Sequence, residues 1–155
     1  MTFRITGLPA TPFRHLYGLS DEALAAHGAK RYIANESPGF PDRIELRDAR
    51  VGESLLLVNY EHQSAPTPYR SNHAIFVIEG AEATYDRVGE IPDVLSRRLL
   101  SLRGFSDDGM LLHADVVEGE DLKSAISSFF DKHDVSYIHA HNARQGCYAA
   151  RIDRA

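Results

Sequence analysis

The spacing of apolar residues along the chain predicts many short strands and few helices. Apolar side chains at 122, 125, 126, 129 and 130 recur every three or four residues, which predicts an amphipathic helix over 122–130. Ser20 is a suitable N-cap for a second helix, which Gly28 would end. Pro92 favours the first position of a third, short helix over 92–98.

Strand patterns, either alternating or continuously apolar, outnumber these helices about three to one. The most apolar of them covers 54–60, so we expect it to be a central strand. Turns rather than helices join most of the strands, which predicts an α+β fold: a mainly antiparallel sheet of about seven to nine strands with two or three helices. The 155 residues contain no linker, which indicates a single domain over 1–155. The other strands are predicted over 3–6, 29–34, 43–47, 74–79, 99–105, 110–117, 135–141 and 147–153.

Composition argues against two classes of partner. The net charge is −5 and no run of Lys or Arg occurs, so the chain lacks the basic face that nucleic-acid binding requires. No apolar stretch approaches the roughly 20 residues that cross a bilayer, so we expect no membrane partner. The first residues do not resemble a secretory signal, and a single cysteine allows no intrachain disulfide. Both features predict a cytoplasmic protein.

Reactive side chains concentrate in the segment YIHAHNARQGCYAAR, residues 137–151. A five-residue hairpin loop over 142–146 would place His141 opposite Cys147. Because side chains alternate along a strand, His139 would share the face of His141. On this prediction one face carries His139, His141, Cys147 and Arg151, and the core face carries Ile138, Ala140, Tyr148, Ala150 and Ile152.

Three interpretations of this hairpin remain open. His139 and His141 could bind zinc, with Cys147 and one further group as ligands. Alternatively, Cys147 could be a catalytic nucleophile, with His141 as its base and Asn142 orienting the imidazole. In the third interpretation the residues are structural, since a free cysteine is often buried and a histidine often bonds a backbone carbonyl.

A second polar cluster, NYEHQSAPTPYRSNH at 59–73, follows the most apolar strand. His62 could transfer protons or bind a metal. Tyr69, Arg70 and His73 precede the next strand, and Arg70 could hold a carboxylate or phosphate with two hydrogen bonds. The alternative is a solvated loop that its two prolines stiffen.

Seven segments carry a resemblance to a known family, and they are TFRITGLP, PGFPDRIELRDARVGE, LLLVNYEHQ, TPYRSNHAIFV, RRLLSLRGF, HADVVEGEDL and HAHNARQGCYAARIDRA. In these segments the chain resembles a bacterial family catalogued as domain of unknown function 1203. Such a resemblance implies one soluble bacterial domain with no assigned activity, substrate or cofactor. Relatives often have cysteine where this chain has Asp42, so a disulfide between that position and Cys147 cannot form here, although a carboxylate could bind a metal.

Two functions follow as hypotheses. The first is a small-ligand-binding or metal-binding protein, or an enzyme, whose pocket lies where 59–73 meets 139–147. The second is a non-catalytic interaction module that forms a homodimer through its tyrosines and arginines. For the first, the catalytic candidates are His62, His141 and Cys147; the metal ligands, for zinc, are His139 and His141; and Tyr69, Arg70, His73, Asn142 and Arg144 would hold an anionic small molecule.

Overall fold

The computed structural model describes residues 2–155. Over that range the chain forms three α-helices, which are α1 (Asp21–Ala26), α2 (Asp93–Ser96) and α3 (Leu122–Phe130). Its strands are β1 (Phe3–Thr6), β2 (Lys30–Ile33), β3 (Ser54–Gln63), β4 (Ser71–Ile78), β5 (Asp86–Val88), β6 (Leu99–Phe105), β7 (Leu111–Glu118), β8 (Tyr137–Asn142) and β9 (Tyr148–Arg154).

The strands form two sheets, and all their pairings are antiparallel. The larger sheet has the order β5-β1-β9-β8-β6-β7, and the smaller has the order β2-β3-β4. The α+β prediction is therefore confirmed. Among residues 2–155, no helix is both long enough and apolar enough to span a bilayer.

The larger sheet has a different neighbour on each face. On one face, Ile126 and Phe129 of α3 pack with Leu102 and Ile138 in one buried cluster. On the other face, Tyr148 of β9 joins a second buried cluster with residues of the smaller sheet. The second face of the larger sheet, which carries the histidines of β8, therefore lies against the smaller sheet.

The predicted strand over 43–47 is wrong. The carboxylate of Asp42 accepts the backbone N–H groups of Ile44 and Glu45, which turns the chain locally instead of extending it. Leu46 has φ 50°, a left-handed conformation that no strand contains. Ile44 and Leu46 enter different apolar clusters, and this division produces the alternation that resembles a half-buried strand.

The observed strands also differ from the predicted ones in the polar segment 59–73 and in the segment before α2. β3 continues through Gln63, and β4 begins at Ser71, so His62 lies within a strand rather than in a loop after it. The register pairs Tyr60 with His73, which extends the hairpin beyond its apolar part. The segment 80–90, which contains no predicted strand, also contributes β5, which pairs with β1 at the edge of the larger sheet.

Candidate metal centre and thiol pocket

A bulge in the closing hairpin decides which side chains meet. β8 and β9 pair His139 with Arg151 and then His141 with Tyr148, with a register shift between Ala140 and His141. The predicted pairing of His141 with Cys147 is therefore wrong. One extra residue on β9 reverses the alternation of its side chains. Tyr148 consequently joins the histidine face, and Cys147 is directed away from it.

Three imidazoles meet between the two sheets, and we call His62, His139 and His141 the imidazole triad. One ligand nitrogen from each ring lies within 4.8 Å of one from each of the others. The ring centroid of His62 lies 4.9 Å from that of His141 and 6.2 Å from that of His139. Residues 139 and 141 share a strand face, and β3 supplies His62 from the opposite sheet. The two polar segments therefore do meet in space, at His62.

Burial keeps the imidazole triad neutral. His139 is 3% exposed and His141 is 1% exposed. Loss of hydration lowers the pKa of His62 to about 4 and the pKa of each of the other two to about 3. The positive charge of Arg103 acts on all three in the same direction. Near neutral pH each ring therefore has a lone pair on one nitrogen.

The hydrogen bonds of the imidazole triad are incomplete. His141 Nδ1 lies 3.0 Å from the carbonyl oxygen of Gly146, so this nitrogen donates and Nε2 carries the lone pair. A guanidinium nitrogen of Arg103 approaches Nε2 at 3.4 Å. The Nδ1 atoms of His62 and His139 are buried without a partner among residues 2–155. Such an atom costs about 1–3 kcal/mol when it stays unsatisfied.

Cys147 lies in a different place, which we call the thiol pocket. This pocket has a volume of about 530 Å³. Buried polar groups and apolar side chains line its inner part, and charged side chains line its rim. Its lining comprises Glu36, Pro38, Gly39, Pro41, Arg43, Leu57, His73, Ala74, Phe76, Arg97, Arg98, Asn142, Gln145 and Cys147.

Arg43 is the most unusual group in the thiol pocket, because it is a cation that is only 2% exposed. Its guanidinium donates to Tyr148 O at 2.8 Å, to Pro41 O at 2.6 Å and to Cys147 Sγ at 3.0 Å. Within the described range, no carboxylate lies within 4.0 Å of it. Burial lowers the pKa of Arg43.

The residues predicted to hold an anion do not form one group. His73 and Asn142 line the thiol pocket, whereas Arg144 lines an adjoining groove that shares Arg97, Arg98 and Gln145 with it. Tyr69 is 38% exposed, and Arg70 forms an exposed ion pair with Glu61 at 3.3 Å.

Arg43 and Arg103 are the site residues that the sequence analysis missed. Both fall in predicted strands, where a charged side chain between apolar neighbours usually faces water. The only available signal was the adjacency of Arg43 to Asp42 in a segment rich in turn-forming residues.

One known protein family matches most of this chain. Residues 39–154 match the model of a family described as a protein of unknown function, DUF1203. The chain belongs to the DUF1203 family. No curated protein and no solved structure matches it.

The DUF1203 match contains every residue of the imidazole triad and of the Arg43–Cys147 pair. Of the larger sheet, only β1 lies before the match, and of the smaller sheet only β2. The imidazole triad and the Arg43–Cys147 pair therefore lie within the matched segment, whereas Glu36 and Pro38 of the thiol pocket precede it.

Proposed function

We propose that this DUF1203 protein binds a divalent transition metal, zinc foremost, through the imidazole triad. One observation supports it above all: three neutral imidazoles offer nitrogens within 4.8 Å of one another between two sheets. Neutral imidazole is a good ligand for zinc, and His₃ sites with a fourth open position are common in zinc proteins.

The spacing of the imidazole triad is close to what zinc requires. Three tetrahedral nitrogens at 2.0–2.1 Å from zinc lie about 3.4 Å apart. The nitrogens of the triad need to move together by little more than 1 Å at most, which side-chain rotations of His62 and His139 can supply. The Gly146 carbonyl already fixes the ring of His141, which matches the outer-shell partner that most metal-binding histidines have.

Arg103 gives the proposed site a preference for an anionic fourth ligand. Its guanidinium lies 3.4 Å from His141 Nε2 and would leave that nitrogen when a metal took the lone pair. It would then remain beside the ion as a hydrogen-bond donor. A carboxylate or phosphate bound to the metal could accept that hydrogen bond, which supports the predicted anionic small molecule.

Metal binding is expected to stabilise the protein, because the ion would join β3 of the smaller sheet to β8 of the larger one. Free zinc at about 100 times its dissociation constant would add about 2.7 kcal/mol to the free energy of unfolding. For a chain of this size that equals a rise in Tm of about 5–10 °C. Untagged protein should also contain one equivalent of zinc by elemental analysis after dialysis against the metal.

The variant His62→Phe separates binding from folding. Its ring keeps the parallel stacking on Tyr148, where the centroids are 5.4 Å apart, but it has no ligand nitrogen. We expect zinc affinity to fall by at least about 100-fold, which is more than the loss of an outer-shell partner causes. The metal-free Tm should change little.

The matched control removes a pair of surface histidines. His15 and His27 have ring centroids 5.4 Å apart, so they could bind zinc adventitiously. The double variant His15→Ala, His27→Ala should keep the stoichiometry and the Tm shift. If this variant loses the zinc and His62→Phe keeps it, the proposal is wrong.

One observation favours the second candidate function, a homodimeric interaction module. The edge strand β7 exposes Leu112 (44%) and Val116 (57%), and an exposed apolar edge is suited to pairing with a second chain. Light scattering should then give the mass of two chains, and the double variant Leu112→Lys, Val116→Lys should give the mass of one. A wild-type mass of one chain at about 100 µM, well above the Kd of a typical specific dimer, would exclude this function.

A further inference from the structure

We infer that the thiol pocket is a second, metal-independent site, in which Arg43 holds Cys147 as a thiolate that exchanges with small carboxylate-bearing disulfides. Three features carry this inference: the charge balance around Arg43, the unsatisfied amide of Asn142, and the shape and charge of the pocket. None of them involves the imidazole triad, so this inference does not depend on the zinc proposal.

The charge balance around Arg43 favours a negative sulfur. A buried cation without an anionic partner is strongly unfavourable. Of the three acceptors of Arg43, two are backbone carbonyls, and Cys147 Sγ alone can become an anion. A hydrogen bond from a cation to sulfur stabilises the thiolate over the thiol. Asp42 also acts electrostatically on Arg43 but makes no contact within 4.0 Å, so Arg43 and Cys147 would form the direct ion pair that the guanidinium otherwise lacks.

Asn142 indicates that the pocket receives a polar ligand. Its Nδ2 lies 3.5 Å from Cys147 Sγ and adds a second donor to the sulfur. Its Oδ1 is buried and has no partner in the part of the chain that the structure describes, although the residue is only 5% exposed. A ligand with an N–H or O–H group beside its reactive atom would satisfy this oxygen.

The rim of the thiol pocket favours an anionic ligand. Arg97 and Arg98 both pair with the carboxylate of Asp48, so these three side chains together carry a net positive charge. Asp93 lies 3.5 Å from Arg97 but is 85% exposed, so water screens it. Glu36 is the single acidic residue in the lining. The volume of about 530 Å³ lies within the range of small-molecule sites.

The chemistry that fits these groups is thiol–disulfide exchange. The thiolate of Cys147 attacks one sulfur of a small disulfide, the new bond joins Cys147 to that half, and the other half leaves as a thiolate. The chain has no second cysteine, so the product stays a mixed disulfide until an external thiol reverses the step. Arg43 and Asn142 would stabilise the attacking charge, and Arg97 would hold the carboxylate of the incoming disulfide.

Three disulfides of similar size test the inference by intact-mass spectrometry: 3,3′-dithiodipropionate (anionic), bis(2-hydroxyethyl) disulfide (neutral) and cystamine (cationic). The reference is the same chain unfolded in urea, where Cys147 has its intrinsic reactivity. At about pH 6.5, where an ordinary thiol is mostly protonated, native protein should react with the anionic disulfide at least about tenfold faster than the unfolded chain. The native preference for the anionic over the cationic probe should also be about tenfold.

Variants at two positions assign the effect to residues. Arg97→Gln, at an exposed position, should remove most of the preference for the anionic probe and keep the reaction with the neutral one. Arg43→Lys should retain part of the rate, whereas Arg43→Gln should reduce it to that of the unfolded chain or below.

Two results would contradict the proposed thiolate site. A native rate no faster than that of the unfolded chain, for every probe, would overturn the thiolate. Equal rates with all three probes, in wild type and in Arg97→Gln, would overturn the preference for anions.

Discussion

Replacing Arg43 by Met is expected to lower the free energy of unfolding by about 3–4 kcal/mol. The substitution keeps an unbranched side chain of similar length but removes two buried hydrogen bonds, to Tyr148 O and Cys147 Sγ, and a part-buried one to Pro41 O. It leaves two backbone carbonyls without these donors, and it leaves a buried sulfur without its cation. Urea or guanidinium unfolding, monitored by circular dichroism, measures the change.

Arg4→Met is the matched control for that substitution. Arg4 also bonds an acceptor from another strand, Asp86, but its side chain is 50% exposed and the pair is in water. An exposed ion pair contributes little, so stability should hardly change. A loss in Arg4→Met as large as that in Arg43→Met would show that burial is not the cause.

A double-mutant cycle decides whether Arg43 and Cys147 form an ion pair. The four proteins are the wild type, Arg43→Met, Cys147→Ala and the combination of both. A coupling energy of about 1–3 kcal/mol is expected for a buried pair in contact. A coupling near zero would mean that the guanidinium is held by the two carbonyls alone, and would count against the thiolate.

Acidifying the metal-free protein from about pH 7 to about pH 4.5 is expected to lower its free energy of unfolding by about 5 kcal/mol. Burial lowers the pKa of His62 to about 4 and the pKa of His139 and of His141 to about 3, whereas an unfolded histidine titrates near 6.5. Below about pH 6.5 the unfolded chain therefore binds protons that the folded chain does not. The stability is fully present above that pH and is lost progressively as the pH falls toward 3.

Protonation of Asp42 has the opposite effect on the free energy of unfolding and limits its decrease at acidic pH. Burial raises its pKa to about 6, so the folded chain takes up a proton there before the unfolded chain does. The three histidines of the imidazole triad together outweigh one carboxyl group. At about pH 4.5 Glu53 and Glu79, whose pKa values lie at about 2, remain ionised and add little.

Unfolding titrations across this pH range measure the effect. His62→Phe should make the slope shallower, because one of the three histidines that the unfolded chain protonates is gone. A flat profile between pH 7 and pH 4.5 would contradict the burial of uncharged imidazoles.

The two sites depend on one irregularity, the bulge between β8 and β9. If the pairing of His139 with Arg151 continued without a bulge, His141 would pair with Ala149, and Cys147 would lie on the same face as the histidines. Instead the extra residue on β9 turns Tyr148 toward the imidazoles and Cys147 toward Arg43. The bulge therefore separates Cys147 in the thiol pocket from the imidazole triad.

Local patterns in the sequence predicted most of the elements. The 3.6-residue repeat marks α3 within its observed bounds, and Ser20 caps α1 by accepting the N–H of Ala23. The same kind of pattern wrongly predicted a strand over 43–47. There the carboxylate of Asp42 turns the chain, and Ile44 and Leu46 are buried in different clusters, which gives the alternation expected of a strand. The polar residues at the end of β3 wrongly predicted a loop. His62 is polar but lies within the strand, where it faces the histidines of β8.

The sequence by itself determined the fold class, the family resemblance and which segments contain the candidate residues, because these depend on composition and on short-range periodicity. Only the tertiary structure decided that His62 completes a triad with His139 and His141, and that Arg43 is the partner of Cys147. Residue 62 lies 77 positions before residue 139, and residue 43 lies 104 positions before residue 147. Side chains so far apart along the chain meet only through the packing of two sheets, and the register of β9 depends on a bulge that no local pattern marks.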